Sequence, residues 1–383
     1  MPDIFVLADD LSGAAEIGGL AHMHGLSVRI VFSLDDLSGF HEQVIILDTN
    51  SRNLTPAEAG KKLSVLLSGS FTANAGLVYK KIDSVLRGPI VTEIKFLARA
   101  SGKKFSCMVP ANPSKNRIIQ SGKYYIDNVP VSKTAFKNDP HYPRLSDDVS
   151  ELVTDNTGEI VTGNDLKNMV SGRILVPDIE SADDIRSFLQ LVNVDDVLMA
   201  GGVDFFNEIL NLVPATNKRI SDKFINNLHH SHFIIGSNAP EAIHTINSLI
   251  HRGFVISRMP LTALTEEPEY NSWIKKINNA VKNGSQIVLT VPEKHIDNRY
   301  LLTKLTDRLT DAAIEVAGLA KKGSWLFVEG GETASFFCRK IGWTSFSISH
   351  AWPEGAVLLA TKNPDIQIVV KPGSYRWPNE LLS

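Results

Sequence analysis

Cysteine is nearly absent from this 383-residue chain, with Cys107 and Cys338 far apart and each inside an apolar stretch. Two such residues supply neither a disulfide framework nor a thiolate metal site, and both are expected to be small buried hydrophobes. No apolar run approaches the ~18 residues that a membrane-spanning helix needs. The opening MPDIFVLADD has no basic leader and reaches two carboxylates within ten residues, so a cytoplasmic protein without a membrane partner is expected. Excess charge is missing as well: a formal net charge of −3 provides no field for nucleic acid, and an anionic small molecule would need local basic groups. The histidines show no HExxH or comparable spacing, so no metal-ligating residue is assigned. There is no GxxxxGK[ST] phosphate loop and no GxGxxG after the first apolar run, which leaves every glycine-containing turn to be judged by its surroundings.

What is present reads as globular. A hydrophobic fraction of 43% and a charged fraction of 21% exclude disordered and fibrous classes, and the length exceeds what one core usually serves, so two domains are expected. Short β-branched runs alternate with helical segments: IFVLAD, SVRIVF, VIILDT, LVYKKI and FSCMVP in the first half, then RILVPDI and DVLMAGGV. After HFIIGSN the alternation resumes with FVISRM, QIVLTVP, SWLFVEGG, AVLLAT and QIVVKPG. The pattern predicts two α/β domains with mostly parallel, helix-covered sheets facing each other across a cleft. A polar stretch around 217–227 places the boundary, giving domains 1–222 and 223–383.

Thr55, Pro56 and Glu58 form the signature of a capped helix start. Residues 111–150 loosen into proline-containing turns with a hairpin around KYYIDNVPV, an insertion suited to shaping a site.

Chemistry-bearing residues gather at the ends of the predicted strands. Asp9 and Asp10 close the first strand and pass through Leu11-Ser12-Gly13 into a helix expected to begin at Ala14. They could orient a hydroxyl, hold a cation or simply cap the helix, and the spacing leaves both readings open. Asp83, Ser84 and Arg87 follow Lys80-Lys81 after another buried strand, where Arg87 could take a carboxylate bidentately or be an ordinary solvated helix start. Arg117 lies in the Pro110–Arg117 turn. Later turns at Ser237, at Gly330-Gly331-Glu332-Thr333 and at Gly373 put small residues and backbone donors where phosphates could sit.

ADDLSGAAEIGG at 8–19, KKIDSVLRGPIVTE at 80–93 and GGET at 330–333 resemble the four-carbon acid-sugar kinase family, which includes threonate, erythronate and oxo-tetronate kinases. VPANPSKNRIIQSGKYYIDNVPV, PDIESADDI, IIGSNAP and VVKPGS extend the likeness over nearly the whole chain. The resemblance implies an N-terminal domain holding the acid sugar and a C-terminal domain holding ATP, with Mg²⁺ on the phosphates; a homo-oligomer is left open by the sequence. It further implies Asp9, Asp10, Asp83, Ser84, Arg87 and Arg117 on the substrate side, with Asp9 or Asp10 orienting the hydroxyl. Ser237, Gly330, Gly331, Glu332, Thr333 and Gly373 fall on the nucleotide side.

Two departures stand out. Ser12 and Val85 replace the family's usual threonines, and its closing motif, roughly KSGNFG, reads KPGSYRWP here. Two alternatives therefore stay open: a ligand-binding member of the same fold that has lost turnover, and another α/β enzyme acting on a hydroxy acid.

Overall fold

The computed structural model describes residues 2–37, 41–67, 75–139, 142–153, 158–213, 230–294, 296, 298–361, 365–373 and 375–382. The chain divides into two compact units, Met1–Lys218 and Arg219–Ser383; the boundary expected at 222/223 lies outside the described residues.

The first unit runs β1 (Ile4–Ala8), α1 (Leu11–Met23), β2 (Val28–Val31), β3 (Val44–Asp48), α2 (Pro56–Leu66), β4 (Leu77–Lys81), α3 (Ile90–Ser101) and β5 (Phe105–Val109). There follow β6 (Arg117–Gln120), β7 (Lys123–Ile126), β8 (Val129–Pro130), α4 (Val149–Leu152), β9 (Ile160–Thr162), β10 (Ile174–Val176), α5 (Ala182–Leu191), β11 (Val197–Gly201) and α6 (Val203–Leu210). Eight strands form a parallel sheet in the order β2-β3-β1-β4-β11-β5-β10-β9. β1 and β3 are buried throughout, which is why they read as unbroken apolar runs instead of alternating ones. The chain leaves β1 toward β3 on one side and returns to β4 on the other, so the carboxyl ends of these three strands surround the switch point at which open α/β sheets take ligands.

Local signals explain the elements beside that edge. Asp10 caps α1 by accepting from the Gly13 amide at 2.7 Å, so the helix starts at Leu11, a turn earlier than Ala14. A Cβ on Gly13 would sit 2.9 Å from the Asp10 carboxylate, and only a glycine leaves room for that cap. Thr55 and Glu58 form the expected capping box of α2. The hairpin also forms: Asp127 and Asn128, at φ 51° and 62°, make the left-handed two-residue turn between β7 and β8.

The second unit runs β12 (Ser231–Ile235), α7 (Pro240–His251), β13 (Val255–Arg258), α8 (Glu267–Lys282), β14 (Ile287–Thr290), α9 (Arg299–Leu319) and β15 (Ser324–Glu329). It ends with α10 (Gly331–Lys340), β16 (Ser345–Ala351), β17 (Val357–Ala360), β18 (Ile366–Lys371) and α11 (Asn379–Leu382). Its sheet order is β13-β14-β12-β15-β18-β17-β16, parallel from β13 through β18 and antiparallel at β17 and β16. β16 and β9 are strands that the apolar pattern does not announce: SFSISHA is diluted by serine and histidine, and IVT is too short. In the core Phe233 stacks on Phe327 with centroids 4.5 Å apart, and Trp377 meets both edge-on. Burying each such ring is worth about 1.5–3 kcal/mol. Among the described residues no helix is long and apolar enough to cross a membrane.

Candidate active site

Three loops leave the carboxyl ends of β1, β3 and β4 side by side, and their charged residues form a ladder. The Arg52 guanidinium, from the loop after β3, donates from Nε to Asp9 Oδ2 and from Nη1 to Asp10 Oδ2, both at 2.7 Å, and its Nη2 lies 3.5 Å from Asp83 Oδ1. Arg87 continues the series: Nη2 and Nε grip the two oxygens of Asp83 at 2.8 and 2.9 Å, and Nη1 reaches Asp139 at 3.2 Å. The fork of Arg87 that could clamp a substrate carboxylate therefore already holds Asp83.

The two neighbouring aspartates differ. Asp10 is fully engaged, with Oδ1 taking the Gly13 amide and Oδ2 taking the Ser12 hydroxyl and Arg52. The capping role and the charged role thus coexist in one side chain. Asp9 binds only through Oδ2; its Oδ1 is buried with no hydrogen-bond partner. An orphaned carboxylate oxygen at this edge can accept a hydrogen bond from a water or a ligand hydroxyl.

Burial alone would raise these carboxyls. At Asp9 that push is outweighed by the Arg52 and Lys80 cations, so its pKa is held below the usual range. At Asp83 Arg87 and Arg52 hold it well below. Both carboxylates are ionised at neutral pH and can accept a hydrogen bond from a hydroxyl.

The adjoining lysines are buried at this strand end. Lys80 and Lys81 do not emerge into water. Lys80 is buried 3.1 Å from Glu93, and Lys81 lies 3.4 Å from Glu16, whose other oxygen takes Lys115 at 3.0 Å. Burial pushes the Glu93 carboxyl up against the pull of Lys80. Glu93 also accepts from the Ser51 hydroxyl, Thr49 Oγ1 donates to the Ala8 carbonyl, and the Ser51 amide bonds the Asp9 carbonyl at 3.0 Å. This lattice fixes the loop that presents Arg52.

On the hairpin side, Arg117 donates to the Ser84 hydroxyl and the Tyr124 hydroxyl donates to the Ser84 carbonyl. Between Ser84 and Arg87, Leu86 is buried in the left-handed region at φ 64°, a conformation that costs an L-residue roughly 1–2 kcal/mol.

In the second unit the three small-residue turns also share one edge. Gly236 follows β12, Gly330 follows β15 and Gly373 follows β18, and these strands are neighbours. A Cβ on Gly236 would collide with the Thr333 hydroxyl, and one on Gly373 would come within 3.8 Å of Gly330 Cα. Gly330 opens α10 at φ 101°, Gly331 and Thr333 are buried in its first turn, and Glu332 projects exposed. Ser237 Oγ is a buried hydroxyl without a partner. Directly beneath, Glu329 and Lys371 pair at 3.1 Å with both side chains fully buried, and the Trp377 indole donates to the same Glu329 oxygen at 3.0 Å. Lys371 spends its remaining donors on the Pro372 and Tyr375 carbonyls. The unusual KPGSYRWP ending is thus anchored in the core through Lys371 and Trp377.

Sequence reasoning missed Arg52, Glu93 and Glu16. Arg52 carried a usable signal, a cation just past the buried run VIILDT. Glu93 and Glu16 read as ordinary helix acids, and nothing in their spacing marks burial against lysine.

A family model described as a sugar-binding N-terminal domain matches residues 4–207. Among curated proteins, a D-threonate kinase from Salmonella typhimurium is 32% identical over 151 residues, covering 39% of this chain and 36% of the relative. A D-erythronate kinase from Heliobacterium modesticaldum is 30% identical over 157 residues, covering 40% of this chain and 36% of the relative. A 3-oxo-tetronate kinase from Brucella melitensis is 25% identical over 154 residues, covering 39% and 35%. The matched stretch therefore spans little more than a third of these relatives. Two crystal structures share the fold over almost the full length. A Salmonella typhimurium LT2 protein carrying a provisional tRNA synthase description superposes with a TM-score of 0.77 at 14% identity, covering 99% of this chain and 97% of that one. A Haemophilus influenzae protein of family DUF1537 gives 0.70 at 18% identity, covering 98% of each.

Proposed function

The chain belongs to the sugar-binding N-terminal domain family, and from that membership and the charge ladder we propose that it is an ATP-dependent kinase phosphorylating a hydroxyl of a small, four-carbon sugar acid. The observation that carries this reading is the unpartnered Asp9 Oδ1, buried at the sheet's switch point beside Arg52. The names of the relatives, threonate, erythronate and oxo-tetronate kinases, supply the substrate class.

In this reading Asp9 accepts the hydrogen bond of the reacting hydroxyl and orients it. Its lowered pKa makes it a hydrogen-bond acceptor across the physiological range, and positioning carries most of the work in phosphoryl transfer. Asp10 and Asp83 keep Arg52 in place, and Arg52, Arg87 and Arg117 supply the positive field for the acid's carboxylate. Arg87 takes part by yielding its longest bond, to Asp139, and Ser84 contacts the sugar.

The orphaned Ser237 hydroxyl and the tight glycine turns fit a nucleotide's phosphates, which Ser237, Gly330, Gly331, Glu332, Thr333 and Gly373 would hold. When bound, ATP supplies the phosphoryl group, with Mg²⁺ carried on its phosphates. Residues 1–222 serve the acid sugar and 223–383 the nucleotide, in the cytoplasm.

The test is ADP release from Mg-ATP across D- and L-threonate, erythronate and their oxo derivatives, with no-acid and Asp9→Asn controls. Acid-dependent release that the variant loses supports the kinase. Acid binding without ADP identifies instead a ligand-binding member that has lost turnover, and silence in both assays sinks the sugar-acid reading.

A further inference from the structure

We propose that Arg144 is a positioning residue for the acid-sugar site, a buried guanidinium that clasps the strained turn carrying Asp83, Ser84 and Arg87. The inference rests on the sugar-acid reading for its consequence and on the following geometry for its existence.

Arg144 is only 2% exposed. Among the described residues its acceptors are all backbone carbonyls: Nη1 donates to Val85, Leu86 and Leu152 at 3.4, 3.2 and 2.9 Å, and Nε to Tyr142 at 2.7 Å. Among the described residues no carboxylate lies within ion-pairing distance of it. Burying a guanidinium against neutral groups opposes folding, and an apolar side chain of the same length would fill the space at less cost. What arginine adds is several directed donors in one rigid plane.

Two of these bonds fall on a strained turn, and the two shorter ones anchor the guanidinium to Leu152 and Tyr142. Leu86 holds φ 64° while buried, and an L-residue released from that region would rotate the adjoining peptide planes. Asp83 fixes the amide side, accepting from the Val85 and Arg87 amides at 3.1 and 3.2 Å. Arg144 fixes the carbonyl side at Val85 and Leu86. Rotation of those planes would swing Arg87 off Asp83 and disturb the next rung, Arg52.

The same short segment touches both arginines of the ladder. Asp139 binds Arg87 at 3.2 Å, and the Tyr142 hydroxyl donates to the Arg52 carbonyl at 2.5 Å. The clasp therefore ties the loops after β3 and β4 to one anchor.

The experiment compares the native full-length chain with Arg144→Met and Arg144→Lys. It measures KM for the acid, KM for ATP, kcat, and amide hydrogen exchange of residues 83–88 without ligand. Arg144→Met is expected to raise the acid KM by roughly tenfold to a hundredfold while leaving the ATP KM within about twofold. It should also speed exchange at Val85 and Arg87 with the second unit unchanged, and Arg144→Lys should recover part of both effects. Unchanged exchange in Arg144→Met, or equal loss of acid and ATP affinity in both variants, would overturn the proposal. If the native chain phosphorylates no acid, the kinase reading falls by itself, and exchange at 83–88 still decides whether Arg144 holds the turn.

Discussion

Arg52 Nε meets Asp9 Oδ2 at 2.7 Å across forty-three residues of sequence, and this contact joins the loops that follow β1 and β3. One guanidinium serves three buried carboxylates there, so its removal leaves only Lys80 and Arg87 to offset them. Arg52→Met is expected to destabilise the protein by about 3–5 kcal/mol. In the native chain Asp9 and Asp83 titrate below their unfolded value of 3.8, so their stabilisation is complete above that value and is lost only as pH falls through the folded pKa. In the variant Asp83 keeps Arg87, whereas at Asp9 burial is opposed by Lys80 alone and raises the carboxyl. Such a group favours the folded state at low pH and loses that contribution as pH rises. The deficit in urea unfolding should thus be larger at about pH 8 than at about pH 5; the opposite order would refute the assigned pairing.

Asp9 and Asp10 separate by function despite being neighbours. Asp9→Asn removes the acceptor that orients the hydroxyl and should lower kcat by about 10²–10⁴. Asp10→Asn keeps a side chain that caps α1 nearly as well and should retain at least roughly a tenth of turnover. Steady-state kinetics on the same acid decide, and a reversed ranking would move the orienting role to Asp10.

The Glu329–Lys371 pair is fully buried. Lys371→Met alone should cost about 3–5 kcal/mol by stranding the carboxylate. Adding Glu329→Gln should recover part of it, giving a coupling of about 0.5–3 kcal/mol in a double-mutant cycle. Additive losses would mean that the two groups do not support one another.

Gly236 has no room for a methyl, since its Cβ would strike the Thr333 hydroxyl, whereas Gly318 in the last turn of α9 has open space around it. Gly236→Ala is expected to weaken nucleotide binding, measured by calorimetry with a non-hydrolysable ATP analogue. Gly318→Ala should leave binding untouched and stabilise the chain by roughly 0.4–1 kcal/mol, through the lower entropy of the unfolded chain. Equal nucleotide affinity in both variants would remove the Gly236 turn from the site.

Much of this was legible in the residues alone because it is local. A strand covered on both faces must be an unbroken apolar run, so IFVLA and VIILD announced themselves. Thr55 and Glu58 lie three residues apart and close their capping box within one turn. Asp9-Asp10 and Asp83 to Arg87 could be placed at a sheet edge because each directly follows such a run.

The tertiary structure alone decided which of these ends meet and what stands between them. That Arg52 links Asp9, Asp10 and Asp83 follows from β1 lying between β3 and β4, an order set by long-range strand pairing that no local periodicity encodes. Lys80 at a strand end looks the same in sequence whether it faces water or Glu93, and Arg144 in a proline-rich stretch looks like a surface residue. Their roles come from burial, which makes an unpaired charge costly and so forces each to find a partner that only the folded chain brings within reach.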